Sequence, residues 1–198
     1  MSFIDLFPSV LYVEDLNKKF STKIEDWKKY IQNTELDDEK INGFTTKNPR
    51  ILDINLLLPL KNIIIETSKK YLLELGHGFE DLQISNSWGN ISPKGTNMHV
   101  HWHSNSYISG VFHLTEGSDI AFHNPLSDLW SFKTSKPLSK QHYRKWDMYL
   151  RSPKQSQLII FPSFLKHEVS PSYNTRISIA FNIIPKGEFG MNTSKLYL

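Results

Sequence analysis

The sequence predicts a mainly β fold, an antiparallel barrel or sandwich with two helices packed on its outside. Three observations carry this. Helical periodicity is confined to the first eighty residues. After Gly78 the pattern changes to short alternating runs rich in β-branched and aromatic residues, with no helical pattern between them. Polar or Gly/Pro/Ser/Asn-rich joints separate those runs, and strands in series without crossover helices pair antiparallel. At 198 residues and 23.1 kDa the chain has room for one domain with a sizeable core. The expected division is a helical part over 1–80 and a β core over 81–198, together one domain.

Taken in order, Leu16, Phe20, Ile24, Trp27 and Ile31 recur at three- and four-residue steps, which predicts an amphipathic helix from about Leu16 to Asn33. Thr34 to Asn48 is polar, contains Gly43, and runs into Pro49, which limits any helix there. A second helix is predicted from about Leu57 to Leu75. Gly76 stands where a C-terminal cap belongs, and Lys69 and Lys70 lie toward the negative end of the dipole. Five strands follow, in Gln83–Ser92, Ser106–Leu114, Ser118–Asn124, Ser156–Pro162 and Arg176–Ile184. Asn124 to Tyr149, with Trp130 and Trp146, is longer than most connections and reads as a lid or substrate loop.

Composition narrows the classes. Hydrophobic residues make up 39% and charged residues 22%, which excludes wholesale disorder, collagen and coiled coil. A net charge of +3 with a pI near 8.9 is too mild and dispersed to call for a specific nucleic-acid or membrane partner. The Trp and Lys residues do not interleave as in a single-strand binder. There is no Cys, hence no disulfide, thiolate ligand or thiol nucleophile, which suits a reducing compartment. No apolar run approaches a membrane span, and Asp5 and Pro8 interrupt what would be a signal peptide's apolar stretch. A cytoplasmic location is expected.

The chemistry gathers in the histidines, which are concentrated after position 76. In Met98-His99-Val100-His101-Trp102-His103 three imidazoles occupy alternate positions. Residues two apart in an extended chain share a face, roughly 6 to 7 Å apart, so two of them can converge on one metal ion. Either His101/His103 or His99/His101 could form the pair. His167, which follows one hydrophobic strand and precedes another, is the third candidate. Nine residues further, alternation in the last strand places Arg176, Ser178, Ala180 and Asn182 on one face and Ile177, Ile179, Phe181 and Ile183 on the other. An Arg inside a barrel requires an anion. Its planar fork suits a carboxylate, either a ligand's or that of an internal Asp or Glu.

These residues carry a resemblance. His167 through Arg176, HEVSPSYNTR, resembles the distal metal motif of iron(II)/2-oxoglutarate-dependent dioxygenases, prolyl hydroxylases in particular. His101-x-His103-Ser104-Asn105-Ser106-x-Ile108-Ser109-Gly110-Val111, with Phe161-Pro162-Ser163 and the opening Leu6-Phe7-Pro8, is similar to a narrower bacterial and phage family of 2-oxoglutarate/iron oxygenases. The likeness covers about Ser85 to Ile184 and the helical half only loosely.

The resemblance implies a double-stranded β-helix, a jelly-roll or cupin-like barrel. It implies Fe(II) on His101, His103 and His167, and 2-oxoglutarate with its far carboxylate on Arg176 helped by Ser178. His113 and Asn90 are implied near the cosubstrate. With O2, the expected reaction is hydroxylation releasing succinate and CO2, and a prolyl residue is the substrate nearest to the downstream likeness. Trp102, Asn105, Tyr107 and Arg144 are candidates for the substrate mouth, with Trp130 and Trp146. The substrate would be a small molecule or peptidyl, a homodimer is permitted, and a phage origin would place the protein in host cytoplasm.

Two departures stand out. His103 occupies the position of the usual Asp, leaving a site with three neutral ligands. Gln155-Ser156 stands where a Gly commonly precedes the strand leading to Phe161-Pro162-Ser163. Two other classes therefore stay open: a three-His cupin-type dioxygenase that uses no 2-oxoglutarate, and a non-enzymatic metal-binding β-barrel module.

Overall fold

Helix formation in the first eighty residues follows the apolar spacing, with one interruption. The computed structural model describes residues 8–38, 43–127 and 147–198. In chain order the elements are β1 (Tyr12–Asp15), α1 (Asn17–Phe20), α2 (Ile24–Asn33), β2 (Leu36–Asp38), β3 (Phe44–Thr46), α3 (Leu58–Glu74) and β4 (Asp81–Ser92). They continue with β5 (Met98–His101), β6 (Ile108–His113), β7 (Ile120–His123), β8 (Met148–Arg151), β9 (Gln157–Pro162), β10 (His167–Val169), β11 (Arg176–Lys186), β12 (Glu188–Phe189) and β13 (Leu196–Tyr197).

The single helix expected over Leu16–Asn33 is two helices, broken at Ser21-Thr22-Lys23. Ser and Thr are indifferent helix formers, since their hydroxyls compete for nearby backbone groups. Glu25 and Asp26 then restart α2 with acidic charge at its positive end. At the other boundary α3 closes in a full Schellman motif. Gly76 takes φ +80°, its N–H donates to Leu73 O at 3.0 Å, and His77 N–H donates to Leu72 O at 2.9 Å.

The strands form two main antiparallel sheets. The larger runs β1-β9-β6-β11-β4-β3-β2 and the smaller β5-β10-β7-β8, while β12 and β13 pair by themselves. All five expected strand regions are strands. β1, β2, β3, β5, β8 and β10 were not separable in the sequence, because each is only three or four residues long and is defined by its partner. This is a mainly β fold of two facing sheets with helices outside.

Two cores lie on opposite sides of the larger sheet. On its outer face Ile177, Ile179, Phe181 and Ile183 of β11, with Phe112, Leu158 and Ile160, pack against Trp27 and Ile31 of α2 and Leu60, Ile64 and Leu72 of α3. Trp27 is fully buried, stands T-shaped to Phe112 with centroids 5.9 Å apart, and donates its indole N–H to Leu56 O at 3.0 Å. Gly110 is required here. It pairs with Phe181 across the ladder, and a Cβ on it would lie 2.3 Å from the Phe181 ring. On the inner face a smaller core between the sheets comprises Val111, Ile120, Phe122, Ile159, Phe161, Leu165 and Val169. The rest of that inner face is polar, and the site is there.

Candidate active site

Neighbouring strands of the smaller sheet bring the histidines together. His167 opens β10 and pairs directly with His101, the last residue of β5. His103 follows in the loop, its N–H donating to Ser163 O at 3.0 Å. The ring nitrogens of His101, His103 and His167 offer one ligand atom each, all within 4.8 Å of one another. His99 is not in this group. Its side chain is exposed, because the β5–β10 register slips between the Val169↔Met98 and His167↔His101 pairs, and this bulge breaks the alternation that would have aimed it inward.

Each imidazole is oriented from behind. His101 Nδ1–H donates to the His99 carbonyl at 2.8 Å, and His167 Nδ1–H to the Leu165 carbonyl at 2.9 Å, which leaves both Nε2 lone pairs free for an ion. His103 donates to the Asn182 side chain, whose Oδ1 also accepts from Ser109 Oγ at 2.7 Å. Ser109 continues to Ser163 at 2.8 Å, and Ser163 to Ser106 at 2.8 Å, a buried hydroxyl chain backing the site. Sequence reasoning missed this chain. The one available signal was Asn182, a polar residue sharing the face of Arg176 in an otherwise apolar strand.

The walls are dry. Phe161 stands T-shaped on His167 with centroids 4.7 Å apart, Phe122 lies 6.0 Å away, and Trp88 stacks on His103 at 6.0 Å. Burial, reinforced by the neighbouring His101, lowers His167 to about 3 and His103 to about 4. Both imidazoles are therefore neutral at physiological pH, the form that binds a metal.

Deeper in the barrel lies a second polar group. Arg176 is 4% exposed, donates Nη2–H to Ser92 Oγ at 3.2 Å, and has no partner for Nε. Ser178 pairs with both His113 and Asn90 across the ladders. Ser178 Oγ and His113 Nε2 are likewise buried without a partner. Asn90 Oδ1 accepts the Trp88 indole N–H at 3.1 Å. Burial, then the charge on Arg176, lowers His113 to about 3. Burial brings Arg176 down only to about 10, so it stays charged. Among the described residues no Asp or Glu pairs with it. A buried cation whose own Nε is orphaned, along with Ser178 Oγ and His113 Nε2, fits an anionic ligand's carboxylate.

The candidates for the mouth are scattered. Trp102, 57% exposed with the Lys166 ammonium 5.7 Å above its ring, and Tyr107, hydrogen-bonded to His77 Nδ1 at 2.7 Å, both line a cleft of about 770 Å³ that reaches His103. Pro162, Phe164 and the end of α3 complete it. Asn105 is exposed and outside the cleft lining. Arg144, Trp130 and Trp146 lie outside the described residues.

Residues 86–182 match the model of the family described as "Putative 2OG-Fe(II) oxygenase". The chain belongs to the 2-oxoglutarate/iron(II) oxygenases. The matched segment contains every candidate metal and carboxylate-binding residue named above. No curated protein sequence matches the chain. Solved structures share the double-stranded β-helix. A prolyl-4-hydroxylase of Pseudomonas putida is 14% identical, with 90% of this chain and 94% of that one covered and a TM-score of 0.64. HygX of Streptomyces hygroscopicus with nickel and 2-oxoglutarate bound is 11% identical, over 89% and 83%, with a TM-score of 0.60. A Trichoplax adhaerens prolyl hydroxylase in complex with a hypoxia inducible factor peptide fragment is 13% identical, over 88% and 83%, with a TM-score of 0.58. The oxygenase thus takes iron(II) and 2-oxoglutarate as cofactor and cosubstrate. No helix among its described residues is long and apolar enough to cross a membrane.

Proposed function

We propose that this oxygenase hydroxylates a peptidyl substrate, with a prolyl residue as the target, and that residues 1–198 act as one catalytic domain. His101, His103 and His167 would hold the iron, and Arg176, Ser178, His113 and Asn90 would receive the far carboxylate of 2-oxoglutarate. The observation that carries the site reading is the convergence of three pre-oriented imidazoles in a barrel that also buries a guanidinium with no carboxylate partner among the described residues. For the substrate class, support comes from the aromatic cleft reaching His103 and from the peptide held by the Trichoplax adhaerens fold relative.

When bound, iron(II) with 2-oxoglutarate and dioxygen supplies the oxidation, releasing succinate and CO2. The chain's own residues do the placing. The His99 and Leu165 carbonyls and Asn182 fix which nitrogen of each imidazole faces inward. Arg176 orients the diacid, and Phe122 and Phe161 keep water from the interior.

Anaerobic titration of metal-free protein with Fe(II) and then 2-oxoglutarate tests the site. A weak iron-to-ketoacid charge-transfer band is expected, and it should be lost in His101→Ala and His167→Ala. Iron binding without the band would favour a cupin-type site, and absence of iron binding would remove the metal assignment. Mass analysis of proline-containing peptides after aerobic turnover, seeking a gain of one oxygen, tests the substrate class.

A further inference from the structure

We infer that Arg151 is a second guanidinium for the far carboxylate of 2-oxoglutarate, reaching it from the sheet opposite Arg176. The inference rests on the cosubstrate reading above and extends it to an edge strand of the smaller sheet.

The direction of the Arg151 side chain follows from pairing. In β8, Arg151 pairs with Ile120, and Ile120 belongs to the core between the sheets. Residues paired across a ladder share a face, so Arg151 faces the interior. It crosses the gap, donating Nη2–H to Gln157 Oε1 at 3.3 Å on β9 of the larger sheet. The same oxygen accepts the Lys154 N–H at 3.2 Å, which holds the amide in place.

Gln157 leads into the cosubstrate layer. The N–H of the preceding Ser156 donates to His113 O at 2.8 Å, His113 pairs with Ser178, and Ser178 with Asn90. Gln157, His113, Ser178 and Asn90 therefore lie at one level across the larger sheet, with Arg176 one step deeper. Arg151 approaches that level from the other side. Its depth also suits a diacid held at the histidines. His167 pairs with Phe122 and Val169 with Ile120, so Arg151 lies two residues, roughly 6 to 7 Å, below the His167 level. A five-carbon dicarboxylate can span that separation.

The charge balance points the same way. Arg151 Nε is buried without a partner, as are Arg176 Nε, Ser178 Oγ and His113 Nε2. Among the described residues no carboxylate pairs with either arginine. An anion entering between them would satisfy both orphaned nitrogens.

The test compares two ligands on anaerobic protein loaded with Fe(II). One is 2-oxoglutarate and the other 2-oxopentanoate, the same keto-acid chain without the far carboxylate; affinity is read by calorimetry. Wild type is expected to prefer the diacid, and Arg151→Met to lose about 10- to 100-fold of that preference, as charged hydrogen bonds do, while its affinity for 2-oxopentanoate is unchanged. Arg151→Lys should recover part of the preference. An undiminished preference in Arg151→Met, or an equal loss for both ligands, overturns the assignment and makes Arg151 a strut between sheets. Should Arg151→Met not fold, Gln157→Leu, which removes the tether, reads the same preference. A wild type that binds both acids alike overturns the cosubstrate reading itself, before any variant is measured.

Discussion

Asn182 takes two hydrogen bonds at once, from His103 and from Ser109, and so decides which way the third imidazole faces. Asn182→Ala should weaken Fe(II) or Ni(II) binding by about 10- to 100-fold, the usual cost of losing a partner behind a ligand. Asn182→Asp keeps an acceptor and should retain most of the affinity. Equilibrium dialysis of the metal-free proteins checks this, and equal affinities in wild type and Asn182→Ala would mean that His103 is oriented by its stacking between Trp88 and His167 alone. At this scale the strand alternation was readable. Arg176, Ser178 and Asn182 share the inner face and their isoleucine neighbours the outer one, since alternation is a property of the backbone itself. The exclusion of His99 was not readable, because a bulge is an agreement between two strands and neither one records it alone.

Among the elements, the turn entering β9 holds a local misfit. Ser156 adopts φ +65° with a fully buried side chain whose hydroxyl has no partner. A side chain in the left-handed region costs about 1 kcal/mol, and glycine adopts it freely. Ser156→Gly should therefore stabilise the protein by about 1 kcal/mol and raise Tm by about 2 to 4 °C. Thermal denaturation reads it, and an unchanged or lower Tm would mean the Ser156 backbone is not strained. Here the sequence reading worked, since Gln155-Ser156 stood out where a Gly commonly precedes the strand. It worked less well for β8. Met148–Arg151 follows a long polar connection, and only its ladder with β7 makes it a strand, so Arg151 had no visible context.

For the molecule as a whole, three buried neutral imidazoles set its response to acid. His113 and His167 are each lowered to about 3 and His103 to about 4, against 6.5 for a free imidazole. The unfolded chain therefore binds more protons than the native state between those values. The stability they contribute is complete above pH 6.5 and is lost as the pH falls toward 4 and then 3. Each of His113 and His167 should remove about 1.4 kcal/mol per pH unit within that window. Urea unfolding of metal-free protein at pH 7 and pH 5 measures it, and His113→Asn should flatten the dependence by about one proton. Equal stabilities at the two pH values would contradict the neutral burial of these rings. The fold class was legible at this scale because the change of period near Gly78 divides the chain. The strand order was not, since β9 lies between β1 and β6, and β11 between β6 and β4. Such pairings join residues far apart in sequence, and periodicity is local.

The two faces of β11 have a consequence for how the chain reaches its native state. A slip of one residue against β4 or β6 would turn Ile177, Ile179 and Phe181 into the polar interior. It would also drive Arg176 in among Trp27, Ile31 and Leu72. A guanidinium there has no counterion, and the mispaired strand would be rejected on both sides at once. The arginine proposed to receive the cosubstrate's carboxylate would thus serve earlier as a proofreader of strand alignment. Arg176→Leu should accordingly loosen folding fidelity even in a molecule that never meets its cosubstrate.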